Sequence, residues 1–256
     1  MKTKMHFTDA YLLNPTHQVT VNLVGCGGTG SQVLTALSRI SYTLTALGHP
    51  GLHVTVYDPD AVTKANLGRQ PFSLGDTGLN KAVLLTTRIN RFFSFCWEAV
   101  PDIYRNEPAN IIITSVDNVK SRLDIATGLL YRDKPSRREE DYRRLIYWLD
   151  FGNTQNTGQV VLGTFDEIRQ PESRKYIPVG KLPCITERFD LSLVDEQDSG
   201  PSCSLARAIE KQDLFINSTL ANTGSKLLWK LFREGMTNHA GVFLNMDTMK
   251  MNPVLL

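Results

Sequence analysis

Cysteine is scarce in this chain: four occur in 256 residues, Cys26, Cys96, Cys184 and Cys203, and no two form a Cys-x-x-Cys pair. That spacing excludes a disulfide framework and a four-cysteine zinc cage. Long apolar runs are missing too. None approaches the roughly 18 residues that a membrane-spanning helix needs. Met1–His17 has no charged stretch leading into an apolar core, so no secretory signal is read there. The expected location is the cytoplasm, with no membrane partner. Charge of one sign is not in excess. With 28 Lys and Arg against 26 Asp and Glu, a net charge of +2 gives no reason to expect nucleic acid. No internal repeat or low-complexity tract occurs. The remaining composition, 41% hydrophobic and 21% charged, is that of a globular chain long enough for one sizeable core. A single domain over residues 1–256 is expected.

What is present alternates between strand and helix signals. Gln18–Val24 alternates and then turns apolar, as a central strand does, and Ser31–Leu47 carries Val33, Leu34, Leu37, Ile40 and Leu44 at helical spacing. "GHPG" breaks that helix, and Leu52–Asp58 reads as a second strand ending in an acid. A helix over Asn80–Phe92 follows, then a buried strand over Asn110–Asn118 carrying Asp117 at its end, then a helix to Tyr131. Strand, helix, strand, helix, strand implies crossovers and a parallel sheet. Leu145–Gly152 and Gly158–Gly163 return to strand character, Ser204–Phe232 is helical, and Gly241–Leu256 reads as a terminal hairpin. Residues 132–144 form a dense mixed-charge insertion, read as a solvated surface. Residues 164–203 lack a sustained period and contain several prolines, which suggests a long crossing loop. The expected fold class is α/β: a Rossmann-like, mostly parallel sheet flanked by helices, with a C-terminal antiparallel extension.

The chemistry concentrates at the ends of the first strands. "VNLVGCGGTGSQ" collapses from an apolar run into Gly25, Gly27, Gly28 and Gly30, and then opens a helix. Glycines there let backbone N–H groups approach a phosphate at a helix N-terminus. A dinucleotide fingerprint expects an acid about 20 residues further on. Asp58 lies 33 positions past Gly25, which an enlarged helix and loop would explain. The stretch "YDPDAVTKANLGRQPFSLGDTGLNKA" is more specific. It places Asp58, Asn66, Arg69, Gln70 and Lys81 in one segment, a polar set richer than a redox cofactor needs. Arg and Lys together suit a polyphosphate whose charge is neutralised while it reacts. Asp117 offers hard oxygen ligands to Mg²⁺.

These motifs resemble the ThiF/MoeB superfamily, adenylating enzymes that include the ubiquitin-activating enzymes. The family pattern is G-x-G-G-x-G-S, then D-x-D-x-V-x-x-x-N-L-x-R-Q, then a lysine opening a helix, then an aspartate after an apolar strand. Here they read "GCGGTGS", "DPDAVTKANLGRQ", "NKA" and "IIITSVDN", and the likeness continues through "GNTQNTGQVVLG" and the terminal strand pair. The resemblance implies ATP as substrate and adenylation of the C-terminal carboxylate of a ubiquitin-like or sulfur-carrier protein. A conjugating enzyme is a possible further partner. It implies that Asp58 binds the ribose, that Asn66, Arg69 and Lys81 contact phosphates with Gln70 supporting them, and that Asp117 takes Mg²⁺. Two departures stand out. The cysteine pairs that hold structural zinc in many bacterial relatives are absent, so no zinc is expected. The family often supplies an arginine from an N-terminal helix of the partner subunit, whereas Met1–His17 has none. A homodimer is still expected.

The cysteines bear on whether the reaction stops at the adenylate. Cys26 in the glycine loop is read as a small packed side chain, and Cys96 beside Trp97 as core. Cys184 in "LPCITERF" resembles the proline-cysteine-threonine segment of ubiquitin-activating enzymes, with Ile185 intervening. Cys203 in "PSCSLARA" directly precedes a helical stretch, where a thiol's pKa falls, and is the preferred thioester nucleophile of the two. Three other readings share the glycine turn. One is adenylation of a tRNA nucleoside or peptide without a cysteine step. Another is a nicotinamide-dependent oxidoreductase, which leaves Asn66, Arg69 and Lys81 idle. The third is a non-catalytic scaffold, which the complete nucleotide set disfavours.

Overall fold

A computed structural model describes residues 2–130, 144–191 and 212–256. The charged insertion, apart from Arg144, and the segment carrying Cys203 lie outside the described residues. In chain order the elements are β1 (Lys4–Phe7), α1 (Ala10–Leu13), β2 (Val19–Val24), α2 (Gly28–Ala46), β3 (Leu52–Tyr57), α3 (Lys81–Phe93), β4 (Glu98–Val100) and β5 (Ile111–Thr114). There follow α4 (Val119–Leu130), β6 (Tyr147–Asn153), β7 (Thr157–Thr164), β8 (Ile177–Pro178), α5 (Ile185–Arg188), α6 (Ile216–Glu234), β9 (Met236–Thr237), β10 (His239–Asn245) and β11 (Lys250–Leu255).

Eight strands form one sheet in the order β11-β10-β7-β6-β5-β2-β3-β4. From β4 to β6 all neighbours are parallel, and from β6 outward through β7, β10 and β11 they are antiparallel. The central parallel strands β2, β5 and β6 are buried on both faces, as their continuous apolar runs require. In β5, Ile111 and Ile113 join one core cluster while Ile112 joins the other. In β6, Tyr147, Leu149 and Phe151 go one way and Trp148 the other. The larger core lies under α2, α3 and α6, and the smaller one under α4 and α5. A side chain of this size stabilises by about 1.5–3 kcal/mol when fully buried, so the three isoleucines fix the strand's place in the sheet.

The topology positions the ligand edge. The chain leaves β2 for β3 and β4 on one side, then returns to add β5 and β6 on the other. Val24 is in register with Tyr57 and with Thr114, so the carboxyl ends of β2, β3 and β5 lie level, with the switch point between β2 and β5. Crevices at such points are where open α/β sheets bind ligands.

The structure corrects several boundaries. The strand expected over Asn110–Asn118 ends at Thr114, because Ser115 turns over the glycine loop, donating its N–H to Val24 O (2.9 Å) and its hydroxyl to Gly25 O (2.8 Å). Asp117 therefore sits in the turn before α4. The start expected at Ser204 lies outside the described residues, within which the helix runs Ile216–Glu234. Cys96 is exposed. Ser94 closes α3 in the left-handed conformation, and the extended chain after it points Phe95 and Trp97 inward and Cys96 out. Trp97 then donates its indole N–H to Leu52 O (2.9 Å), leading into β4, an edge strand that the sequence reading passed over. In the crossing loop, β8 pairs with β1, and β1 with β9, as a small three-stranded sheet.

Candidate nucleotide site

The glycine turn joins β2 to α2 and is tight on three sides and open on one. Gly25 has φ +89°, and a Cβ there would lie 2.9 Å from Ser115 O. A Cβ on Gly30 would collide with Gly25 O, and one on Gly28 would lie 2.7 Å from Asn217 Nδ2. Gly27 faces open space, with nothing within 4 Å of its Cβ position. It is also the N-cap of the 19-residue helix α2, and no side chain caps that end. The orphan N–H groups and positive end of the dipole are thus presented where only glycine stands.

Asp58 fastens this turn from the end of β3. It is 5% exposed; Oδ2 accepts from the Cys26 N–H at 2.5 Å and Oδ1 from the Asp60 N–H at 2.9 Å. Burial pushes its carboxyl above the usual range, against the Cys26 hydrogen bond and the charge of Lys81, which favour the carboxylate. Cys26 is fully buried, and burial, reinforced by Asp58, raises its thiol far above its ordinary value. Lys81 opens α3, and its Nζ pairs with Asp60 at 2.8 Å while the side chain is 9% exposed. Asn80 caps that helix through Val83 N–H and donates to Asp58 O and Asp60 O. The two motif segments are thereby locked together.

Asn66 is buried with its Oδ1 committed to the Thr63 N–H (2.8 Å) and hydroxyl (3.1 Å), closing a 3-10 turn over Lys64–Asn66. Gln70 is buried and its Oε1 has no hydrogen-bond partner. Arg69 donates through Nη1 to Gln212 Oε1 at 2.9 Å, and its buried Nε has no partner. Burial also pulls its pKa below the ordinary arginine value. Asp117 is exposed, and its Oδ1 accepts from Asn118 Nδ2 at 3.1 Å.

Sequence reasoning missed a chain of polar groups that ties Arg69 to the turn. Gln212 accepts from Asn217 Nδ2 (3.1 Å), and Asn217 Oδ1 accepts from the Thr29 hydroxyl (2.9 Å). Asn153, in the "GNTQNTG" stretch, stands beside both. Asn217 carries no local signal, because only the packing of α6 on α2 brings it to the glycines. Cys184 lies elsewhere. It is buried at the N-terminus of α5 behind Gly163, with its Sγ 3.5 Å from Thr164 O, and burial pushes its thiol up to about 12. Cys203 lies outside the described residues.

Among the described residues, no three His, Cys, Asp or Glu side chains group to hold a metal ion, and no helix is long and apolar enough to cross a membrane. A magnesium ion nevertheless fits the donor set, because it needs only one or two carboxylates when substrate phosphates complete its shell. Asp117, an exposed carboxylate beside the glycine turn, meets that need.

An uncapped glycine turn at the switch point of an open α/β sheet, fastened by a buried acid, is the arrangement that α/β proteins use at phosphate-bearing ligands. More particularly, the chain belongs to the ThiF family, whose model matches residues 5–255. It is similar in fold to E. coli MccB solved with ATP, at 16% identity and a TM-score of 0.56, covering 95% of this chain and 64% of that one. The same holds for E. coli MccB with selenomethionine MccA (16%, TM-score 0.55, 96% and 65%) and for selenomethionine PaaA (14%, TM-score 0.56, 93% and 64%). The chain thus spans slightly under two thirds of the length of these neighbours. No curated protein sequence matches it.

Proposed function

We propose that this protein adenylates the C-terminal carboxylate of a small protein or peptide at the expense of ATP. The observation that carries the reading is the uncapped N-terminus of α2 at Gly27, with Asp58 bonded to Cys26 beside it, Lys81 paired with Asp60, and Arg69 linked to the turn through Gln212 and Asn217. Family membership supports it, as do neighbours solved with ATP and with MccA. In this reading the carboxylate oxygen attacks the α-phosphorus, the bond to the β-phosphate oxygen breaks, and pyrophosphate leaves. The α2 N–H groups, Lys81 and Arg69 hold the phosphate oxygens as charge accumulates on them, which lowers the barrier. Arg69 carries a buried Nε–H donor with no protein partner, which a phosphate oxygen would satisfy. Asp58 takes the ribose, and Asn66, whose Oδ1 closes the 3-10 turn ahead of Arg69, contacts a phosphate through its amide N–H groups. Mg²⁺, held by Asp117, would neutralise triphosphate charge.

The carboxylate donor is read as a ubiquitin-like or sulfur-carrier protein acting on a cytoplasmic homodimer, with Cys203 as the acceptor if a thioester forms. The peptide reading has its own support in the MccB complex with MccA. The test is exchange of labelled pyrophosphate into ATP by the purified chain with Mg²⁺ and a candidate carrier ending in Gly-Gly, or a peptide. Exchange is expected, with Asp117→Ala and Lys81→Ala each lowering it by at least about a hundredfold. NADH binding without ATP binding would overturn the reading.

A further inference from the structure

A buried ion pair lies beneath the Asp117 turn, and the adenylation reading leaves it without a task. Arg122, in the first turns of α4, is 8% exposed, and Asp150, on β6, is 1% exposed. The arginine Nε donates to both carboxylate oxygens, at 3.0 and 3.2 Å. Its Nη2 donates to Val116 O and Phe151 O, each at 2.8 Å, and its Nη1 reaches Asn118 O at 3.4 Å. Val116 and Asn118 are the residues on either side of Asp117, so one guanidinium grips the carbonyls flanking the carboxylate. Asp150 is itself held, accepting from the Thr114 hydroxyl, which in turn accepts from the Trp148 indole at 2.8 Å. Asn118 completes the arrangement, with Oδ1 capping α4 through Ser121 N–H (2.7 Å) and Nδ2 donating to Asp117 Oδ1.

Stability alone explains this pair poorly, because well-packed apolar replacements of buried ion pairs are often as stable. Geometry explains it better. Only a planar fork with five donors can hold one carboxylate and three carbonyls at once. We propose that Arg122, anchored by Asp150, is a positioning residue that fixes the Asp117 turn for a divalent cation bound together with ATP. The proposal rests on the adenylation reading and gives it a second layer. Partners behind a metal ligand set its orientation, and their loss commonly weakens metal binding about 10–100-fold.

Calorimetric ATP binding, measured in EDTA and across a Mg²⁺ titration, tests this on the full chain. Arg122→Lys should keep its affinity for metal-free ATP within about twofold, while the Mg²⁺ concentration that half-saturates the tightening of ATP rises about tenfold or more. On an Asp117→Asn background, where that response is already lost, Arg122→Lys should add nothing. Asp150→Asn keeps the Thr114 contact while removing the anchoring charge; it should give the same shift if the lysine variant fails to fold. Leu44→Ala, buried at the far end of α2, lowers the melting temperature without moving the Mg²⁺ midpoint. A wild-type midpoint in Arg122→Lys or Asp150→Asn, or equal losses with and without Mg²⁺, would overturn the positioning role and leave the reading intact. A wild-type chain whose ATP affinity ignores Mg²⁺ would overturn both.

Discussion

His6, on the small sheet, is fully buried, with both ring nitrogens committed. Its Nδ1 lies 2.7 Å from Val179 O, a carbonyl that can only accept, so the proton sits on Nδ1 and Nε2 accepts from the Tyr147 hydroxyl at 2.8 Å. The Tyr147 oxygen accepts in turn from the Asp9 N–H (3.1 Å), and the Asp9 carboxylate pairs with Arg144 at 2.7 Å. The bond from Tyr147 to Nε2 requires neutral histidine, because a protonated ring has no acceptor left. Burial accordingly pulls the His6 pKa below 6.5, with the Val179 bond and Asp9 opposing only in part. The sign follows by linkage. Below its ordinary pKa the unfolded histidine takes up a proton that the folded one resists, so stability falls as pH drops below about 6.5. Denaturant midpoints should therefore decline between about pH 7.5 and 5.5, and the decline should be shallower in His6→Gln. His239, also held low by burial, supplies part of the remaining slope. An unchanged slope in the variant would refute the relay. Neither His6 nor Arg122 was legible in the sequence. A single histidine in a short strand and a single arginine in a helical pattern both look like surface residues, and only the assembled sheet puts a carboxylate or a tyrosine against them.

At the scale of elements, the glycine turn gives the most direct handle on the proposed site. Gly27 has φ −78° and ψ −143°, and nothing crowds its Cβ. A serine hydroxyl there would cap α2, and an N-cap of this kind is worth about 1 kcal/mol over a side chain that cannot cap, though less over glycine. The same hydroxyl would compete with a phosphate for the N–H groups. Gly27→Ser should stay folded and bind ATP at least about tenfold more weakly. Lower stability with unchanged ATP affinity would mean that the α2 terminus is structural. The elements themselves were largely readable. Val33, Leu34, Leu37, Ile40 and Leu44 mark α2 by period, and the β2 and β3 strands came within a residue of their ends. The misses have local causes. Three residues of β4 are too few to carry a period, and Ser115, which ends β5, bends the chain through hydrogen bonds to β2 and the glycine turn that no window of sequence contains. Residues near one another in the chain, such as Asp58, Asn66, Arg69 and Lys81, could be read as a set. Gln212, Asn153 and Asn217 could not.

At the scale of the whole molecule, the antiparallel half of the sheet and its crossing segment decide where a second chemical step could occur. The segment from Thr164 to Leu191 is tied down at several points. Lys181 Nζ donates to Thr164 O and Phe165 O, Val179 N–H donates to Met5 O, and Cys184 N–H donates to Glu187 at 2.7 Å. Cys184 is thereby pinned beneath Gly163 with its thiol at about 12, so it is almost wholly protonated near neutral pH and a poor nucleophile. An adenylate needs only groups that hold phosphate, whereas a thioester needs a thiolate that can reach the acyl carbon. If the chain carries out the second step, Cys203 is the better placed thiol by chemistry, as a cysteine directly preceding a helical stretch of sequence. Cys184→Ala should keep pyrophosphate exchange and any carrier adduct while losing about 1–2 kcal/mol of stability to the emptied packing. Cys203→Ala should keep exchange and lose a carrier adduct that reducing agent cleaves on a gel. Loss of the adduct in Cys184→Ala alone would reverse the assignment and require the Gly163 contact to open during the reaction. An adduct absent from the parent chain, with exchange intact, would place this protein with the adenylating enzymes that hand an activated carboxylate directly to a second substrate.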